Sequence, residues 1–420
     1  MRILLLSQYY PPEPAFKVSQ FAHDLVARGH EVTVLTGFPN YPQGRLYPGY
    51  RQRFWQRESV DGVQVIRVPL YADHSHSVVH RSFNYLSFAA TSALLGPALC
   101  GPADVMWVYH PPMTIGAPAW WIKLLRGVPF VYSIHDMWPE SITATRMMSD
   151  GATIRALRQY ALWTYQQASA IAVVSPGFRR NLIAKGVPAD KVHVIPNWAD
   201  EEIYRPLPRD EALAAAHGMV GRFNVIYGGN LGAAQALENV LAAAELLRDQ
   251  LHIQIVLIGD GMNAAKLRQQ AAARGLDNVR FISQQTAERM PQFFALADTL
   301  LVHLKRDPLF EITIPSKTLA YLACGRPIVA AVAGDAADVV RDAGAGLVCA
   351  PEDPTALARA IRAIAALPPT ERERMGAAGR ETFLANYTRT MLVDRYERLF
   401  ERIARRSGGG QTISTGWQTR

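Results

Sequence analysis

Cysteine is scarce in this chain: Cys100, Cys324 and Cys349 are the three among 420 residues. Their number is odd, they lie far apart and none forms a C-x-x-C, so neither a disulfide framework nor a thiolate metal site is indicated. A reducing compartment suits that usage. A leader peptide is also missing from the expectation. Met1-Arg2-Ile3-Leu4-Leu5-Leu6-Ser7 has too short an apolar run and no small-residue cleavage site after it, and reads as a buried first strand. Basic residues outnumber acidic ones, 44 to 36, for a net charge of +8. They are interspersed with acids rather than gathered in a Lys/Arg block, which argues against a nucleic-acid partner and for an anionic substrate or an anionic membrane surface. Catalytic signatures are missing as well. Neither half opens with G-x-G-x-x-G, no Gly-Lys-Ser/Thr follows a glycine loop, and there is no G-x-S-x-G. No Asp/Glu/His group has metal-ligand spacing. Nicotinamide chemistry, P-loop chemistry and covalent acyl chemistry are thereby disfavoured, and no metal or other cofactor is expected.

What is present is the composition of packed protein, 49% apolar and 19% charged, at a length that calls for two or three domains. One stretch stands apart. Ser82 to Ala103 carries no charge, and after Asp104 a second uncharged stretch runs to Ile122, ending in Trp120-Trp121-Ile122-Lys123. Asn84, Ser87, Thr91, Ser92 and Gly96-Pro97 argue against a membrane span. Two readings stay open for residues 82–123: a helix buried against a sheet, or a face that rests on a membrane through aromatic and lysine side chains.

Strand and helix patterns alternate throughout. Ile3–Ser7 is apolar, and Val18, Phe21, Ala22 and Leu25 then recur at helical spacing before Gly29. Further strands are expected at 31–36, 64–68, 105–109, 130–134, 170–174 and 192–195. Tyr204-Arg205-Pro206-Leu207-Pro208 marks a connector, after which the alternation restarts at Phe223–Tyr227. A last helical stretch is expected from Pro369 to about Arg406. The pattern is α/β: two doubly wound, Rossmann-like halves with mostly parallel sheets. The expected division is 1–200, 201–385, a returning helix at 386–406 and a flexible tail at 407–420.

Ligands of open parallel sheets lie beyond the strands' carboxyl ends, so the turns there carry the candidates. In the second half these are Gly228-Gly229-Asn230-Leu231-Gly232, then Gly259-Asp260-Gly261, then the helix entry Pro315-Ser316-Lys317. Glycines at such turns let backbone N–H groups approach a phosphate, and helix N-termini favour anions. A first-turn lysine opposes the helix dipole unless an anion sits there. Together the three turns predict a diphosphate site built mostly from backbone. In the first half, His135-Asp136-Met137-Trp138-Pro139-Glu140-Ser141 follows a strand, and the His-Asp pair is the candidate reactive group, with structural capping as its alternative. Tyr9-Tyr10-Pro11-Pro12-Glu13-Pro14 follows the first strand and is expected on the same cleft.

Across nearly its whole length the chain resembles the GT-B glycosyltransferases of family 4, retaining enzymes that use nucleotide-sugar donors. Tyr9–Glu13, Gly37-Phe38-Pro39-Asn40-Tyr41-Pro42, Asp136–Ser141, Ile195-Pro196-Asn197-Trp198, Gly229–Gly232 and Ile314–Lys317 are similar to a narrower WbuB-like branch of bacterial O-antigen and capsule enzymes. The resemblance implies two Rossmann-like domains facing across a cleft, the acceptor on the first and a UDP-sugar on the second. It further implies transfer of N-acetyl-L-fucosamine to a polyprenyl-diphosphate-linked glycan, by a cytoplasmic protein peripheral to the inner face of the cell membrane. Catalytic roles then fall to His135, Asp136 and Lys317. Donor binding falls to Gly229, Asn230, Gly232, Gln235, Gly259, Gly261, Glu311, Pro315 and Ser316, and acceptor contacts to Tyr10, Glu13, Trp138 and Glu140. The family's arginine and lysine after the first C-domain strand are replaced by Asn230 and Gln235, so Lys317, with Lys305 or Arg306, is expected to supply the charge. The family's ribose-holding acid is Ala320 here. Its first acid falls at Ile312, with Glu311 adjacent. The competing readings are a nucleotide-sugar epimerase of the same architecture and a non-catalytic nucleotide-sugar-binding protein of an assembly complex.

Overall fold

The computed structural model describes residues 1–75, 77–141 and 151–408. The tail expected at 407–420 therefore falls mainly outside the described residues. The first half runs β1 (Arg2–Leu6), α1 (Phe16–Ala27), β2 (Glu31–Gly37), β3 (Gln56–Val60), β4 (Val63–Val68), α2 (Val78–Leu99), β5 (Val105–His110), α3 (Gly116–Arg126), β6 (Phe130–Ile134), α4 (Ala152–Gln167), β7 (Ala170–Val173), α5 (Pro176–Ala184) and β8 (Val192–Val194). Its sheet has the order β3-β4-β2-β1-β5-β6-β7-β8, parallel except for β3. The edge hairpin β3–β4 was not anticipated from the sequence. Its signal is Asp61-Gly62, both at positive φ (48° and 81°), the two-residue turn that suits a twisted antiparallel pair.

The second half runs α6 (Glu211–Ala216), β9 (Phe223–Gly228), α7 (Glu238–Leu246), β10 (Ile253–Ile258), α8 (Ala264–Ala273), β11 (Val279–Ile282), α9 (Met290–Ala295), β12 (Thr299–His303), α10 (Pro308–Glu311), α11 (Ser316–Ala323), β13 (Ile328–Ala331), α12 (Asp335–Asp342), β14 (Gly346–Cys349), α13 (Pro354–Ala365), α14 (Pro369–Asn386) and α15 (Arg389–Gly408). Its sheet is all parallel, in the order β11-β10-β9-β12-β13-β14. The central strands are buried end to end because helices cover both faces. The order reverses between β9 and β12, and ligand crevices open at such points.

Helix α1 forms as its spacing predicts: Val18, Phe21, Ala22 and Leu25 are buried, and the chain leaves it through Gly29 at φ +83°. The terminal helical stretch is two helices rather than one. At Thr388 the backbone pairs with Ala199 of the connector, which ends α14 before α15 begins. Tyr396, Leu399 and Phe400 of α15 then join Phe21 and Trp107 in the first domain's core. Helix α2 buries Asn84, Phe88, Ser92, Leu95 and Gly96, and Gly96 lies so close to Leu35 and Ile122 that a Cβ there would meet them at 2.9 and 3.0 Å. Its other face leaves Val79, Phe83, Leu86 and Leu94 exposed beside Trp121, Leu124 and Leu125 of α3. Among the described residues no helix is long and apolar enough to cross a membrane.

Candidate active site in the interdomain cleft

A cavity of about 1070 Å³ lies between the domains. Phe16, Lys17 and Gln20 of α1 and Trp198 and Asp200 of the connector form one wall, and the turns after β9, β10 and β12 with the start of α11 form the other. Gly229, Asn230, Gln235, Gly259, Gly261, Pro315, Ser316 and Lys317 all line it, so the structure gathers most of the expected donor-site residues.

The glycines act differently from the expected amide cradle. The Gly229 N–H donates to the Ile258 carbonyl (2.9 Å), the Leu231 N–H to the Asp260 carbonyl (2.8 Å) and the Gly232 N–H to Gln235 Oε1 (3.2 Å). These donors are spent on holding the β9 and β10 turns together. Small size is what the positions require: a Cβ on Gly259, at φ +147°, would stand 1.9 Å from the Gly229 carbonyl, and one on Gly261 2.4 Å from Asn230 Oδ1. Gly232 belongs to the turn but does not line the cavity.

Charge comes from Lys317. It is the second residue of α11, whose N-cap Pro315 makes no side-chain cap. Its Nζ is buried without a hydrogen-bond partner, 3.6 Å from the centroid of the Tyr227 ring. Burial alone pushes its pKa down to about 7. A cation left unpaired at a helix N-terminus is costly in itself, and an anion in the cavity would offset that cost. Lys305 and Arg306 do not assist. Neither lines the cavity, and the Arg306 guanidinium bonds the Pro351 carbonyl at 3.2 Å. Glu311 is exposed at the end of α10 and does not line the cavity either. Ala320 does line it, with no carboxylate at that point; Glu288, Gln284 and Gln285 from the loop after β11 also line it.

The first-domain candidates are placed mainly as scaffold. His135 has both ring nitrogens engaged, Nδ1 with Asn197 Oδ1 at 2.9 Å and Nε2 with Ser133 Oγ at 3.0 Å, and Ser133 in turn meets Tyr396 OH at 2.7 Å. Burial pushes its pKa down to about 3, so it is neutral, and it does not line the cavity. The expected role, orienting an acceptor hydroxyl or the donor sugar, has no free ring nitrogen to serve it here; the ring holds Asn197 and, through Ser133, Tyr396 of α15. Asp136 accepts from Trp138 Nε1 at 3.0 Å, its pKa pushed up by burial; it too lies outside the cavity lining. Glu140 pairs with Lys185 at 2.7 Å. Tyr10 is wholly buried in the core and so is a packing residue. Glu13 accepts the backbone N–H groups of Tyr10 (3.2 Å), Asn40 (2.8 Å) and Tyr41 (2.8 Å), and burial lifts its pKa to about 7 against those bonds. It clasps the loops after β1 and β2. Asn40 extends that network through Asn84 to Gln8 (3.1 and 2.6 Å).

The domains also touch directly. Ser175 Oγ donates to the Ile312 carbonyl, and Asp335 accepts from the Gly177 N–H and from Arg180 Nη2 at 2.7 Å. These contacts escaped the sequence reading, as did Lys17. The signal for Lys17 was available: like Lys317, it is a first-turn lysine with no acidic residue in that turn.

Two Rossmann-like domains with a ligand cavity between strand carboxyl ends define the GT-B class, and solved structures agree. Anabaena HepE in complex with UDP and glucose superposes with a TM-score of 0.70 at 17% identity, over 96% of this chain and 99% of that one. Sucrose-phosphate synthase of Thermosynechococcus elongatus does so at 0.72 and 18%, over 96% and 99%. Residues 14–198 match the glycosyl transferase 4-like domain and residues 211–382 the glycosyl transferases group 1 domain. WcaI of Escherichia coli (strain K12), named for glycosyl transfer in colanic acid biosynthesis, is 28% identical over 338 residues, 77% of this chain and 82% of that protein. WbjE of Pseudomonas aeruginosa, named as a glycosyltransferase, is 25% identical over 279 residues, 66% of this chain and 68% of that protein. The chain is a GT-B glycosyltransferase built from these two domain families, with relatives in bacterial polysaccharide synthesis.

Proposed function

We propose that this enzyme transfers a sugar from a UDP-sugar, with retention of configuration and without a metal, to a lipid-linked glycan at the inner face of the cell membrane. N-acetyl-L-fucosamine, for O-antigen or capsule, is the donor sugar suggested by the WbuB-like motifs. The observation that carries the reading is the unpartnered Lys317 ammonium buried at the N-terminus of α11 beside the closed glycine turns. In the transfer the bond from the anomeric carbon to the β-phosphate oxygen breaks. The acceptor oxygen bonds that carbon from the same face, and its proton passes to the departing phosphate. Negative charge grows on the diphosphate, where Lys317 and the first-turn N–H groups of α11 at Ser316 and Lys317, which have no intrahelical acceptor, stand ready before the reaction. Fixed donors of this kind supply the largest share of such rate enhancements. Complexes of HepE with UDP and UDP-glucose support a UDP-sugar as donor.

The deciding experiment incubates the protein with UDP-, GDP- and dTDP-sugars, with and without membrane lipid extract, and measures nucleoside diphosphate release. Lipid-dependent UDP release from one sugar is expected. Conversion of one UDP-sugar into another without lipid would make the protein an epimerase, and tight binding with no turnover a non-catalytic binder.

The membrane contact rests on the exposed stripe of α2 and α3. Val79, Phe83, Leu86, Leu94, Trp121 and Leu124 are exposed, with Arg81, Lys123 and Arg126 on the same helices. Apolar side chains bordered by cations suit an anionic lipid interface. Phe83→Glu with Leu94→Glu is expected to lower partitioning onto phosphatidylglycerol vesicles about tenfold or more, with melting temperature retained because both side chains already face solvent. Unchanged co-sedimentation would remove the stripe from the membrane contact.

A further inference from the structure

The cavity has a second lysine, on the wall opposite Lys317. Among the described residues Lys17 and Lys317 are the cations that line it. Among the described residues Lys17 has no hydrogen bond or ion pair, and its Nζ lies 5.7 Å from the centroid of the Trp198 ring. Burial pushes its pKa down to about 8, with no carboxylate close enough to oppose the shift. The acids of the cavity, Asp200, Asp260 and Glu288, are directed elsewhere or lie apart. Asp200 accepts from Gln20 (2.9 Å) and Arg389 (2.8 Å), and Asp260 accepts the Gly261 N–H at 2.8 Å.

The two lysines are placed alike. Lys17 is the second residue of α1 and Lys317 the second residue of α11. Both helices start without a side-chain cap, at Ala15 and at Pro315. Each therefore opposes its own helix dipole and pays for desolvation with no protein partner. Two such arrangements on facing walls of one cavity make a site for a ligand with two or more negative charges. Asn230 and Gln235, both neutral, line the same cavity, so the second cation has to come from elsewhere.

We propose that Lys17 is the second cation of the diphosphate site, so that one diphosphate ester is gripped from both domains, by Lys317 from the second and Lys17 from the first. This rests on the donor-site reading above. It makes ligand charge a force for domain closure, since an anion between the walls attracts one ammonium group from each domain. The diphosphate can belong to the nucleotide donor or to a prenyl diphosphate acceptor, and the test separates the two.

The test measures binding of UDP, UMP and farnesyl diphosphate by titration calorimetry to the full chain and to Lys17→Met, Lys17→Arg and Lys317→Met. Lys17→Met is expected to weaken UDP about 10–100-fold, UMP much less, and Lys17→Arg to restore most of the loss. A loss of position alone would weaken UDP and UMP equally. A defect confined to farnesyl diphosphate supports Lys17 as a diphosphate ligand and assigns it to the acceptor. Melting temperatures confirm folding, and removal of an unpaired cation is expected to leave them unchanged or raise them. Equal affinity of the full chain and Lys17→Met for both diphosphates overturns the inference. If Lys317→Met loses UDP while Lys17→Met does not, only this inference falls. If the unaltered chain binds no UDP, the donor-site reading falls with it.

Discussion

Lys317→Ala is expected to lower kcat by about 10²–10³-fold, the usual consequence of removing one fixed donor from a site of developing negative charge. Stability is expected to hold or increase. The ammonium is buried with no hydrogen-bond partner, and its contact with the Tyr227 ring is its one described compensation. Removing it relieves a desolvation cost, so stability and activity are expected to move in opposite directions. The pH dependence follows from the same fact. With a pKa near 7, Lys317 is charged below that pH and largely neutral above it in the free protein. A bound diphosphate restores the charge. UDP affinity should therefore be highest below pH 7 and fall as pH rises, by up to about tenfold per unit, with proton uptake on binding. Lys17, near 8, extends the fall at higher pH. For folding the sign is opposite. The lysine's pKa is depressed in the folded state, so its cost is full below pH 7 and fades as pH rises toward the unfolded value. Turnover of Lys317→Ala within threefold of the unaltered enzyme would take Lys317 out of the chemistry.

Gly259→Ala is expected to cost about 2–4 kcal/mol of stability and to abolish UDP binding. The residue sits at φ +147°, and its Cβ would fall 1.9 Å from the Gly229 carbonyl. Relief requires the β9 and β10 turns to move apart, which breaks the Gly229–Ile258 and Leu231–Asp260 hydrogen bonds and shifts the surface against which Lys317 lies. Gly275→Ala is the control. Its φ is +60°, but nothing lies within 4 Å, so it carries backbone strain without the collision. Thermal unfolding and UDP titration of the pair separate the two effects. Equal behaviour of the two variants would mean that close approach of the turns is not what Gly259 supplies.

The alternation of short apolar runs with helical spacing was enough to read two doubly wound domains, because strands covered on both faces must be apolar throughout. Glycines at strand ends and a lysine at the start of α11 marked one wall of the cavity for the same local reason: positive φ, close backbone approach and a misplaced charge are properties of a few neighbouring residues. The motif residues of the first domain were harder to read. Glu13, Asn40 and His135 are polar at strand ends, as site residues are, yet their partners come from loops up to 62 residues away in the chain, as with His135 and Asn197. Only the folded arrangement shows that those partners use up their hydrogen-bonding capacity. The same holds for the cleft. Local sequence determined that Lys317 is a first-turn cation. Tertiary structure alone decided that Lys17 faces the same cavity from the other domain, because Coulomb interactions depend on distance in space, and the chain separates these two lysines by a whole domain.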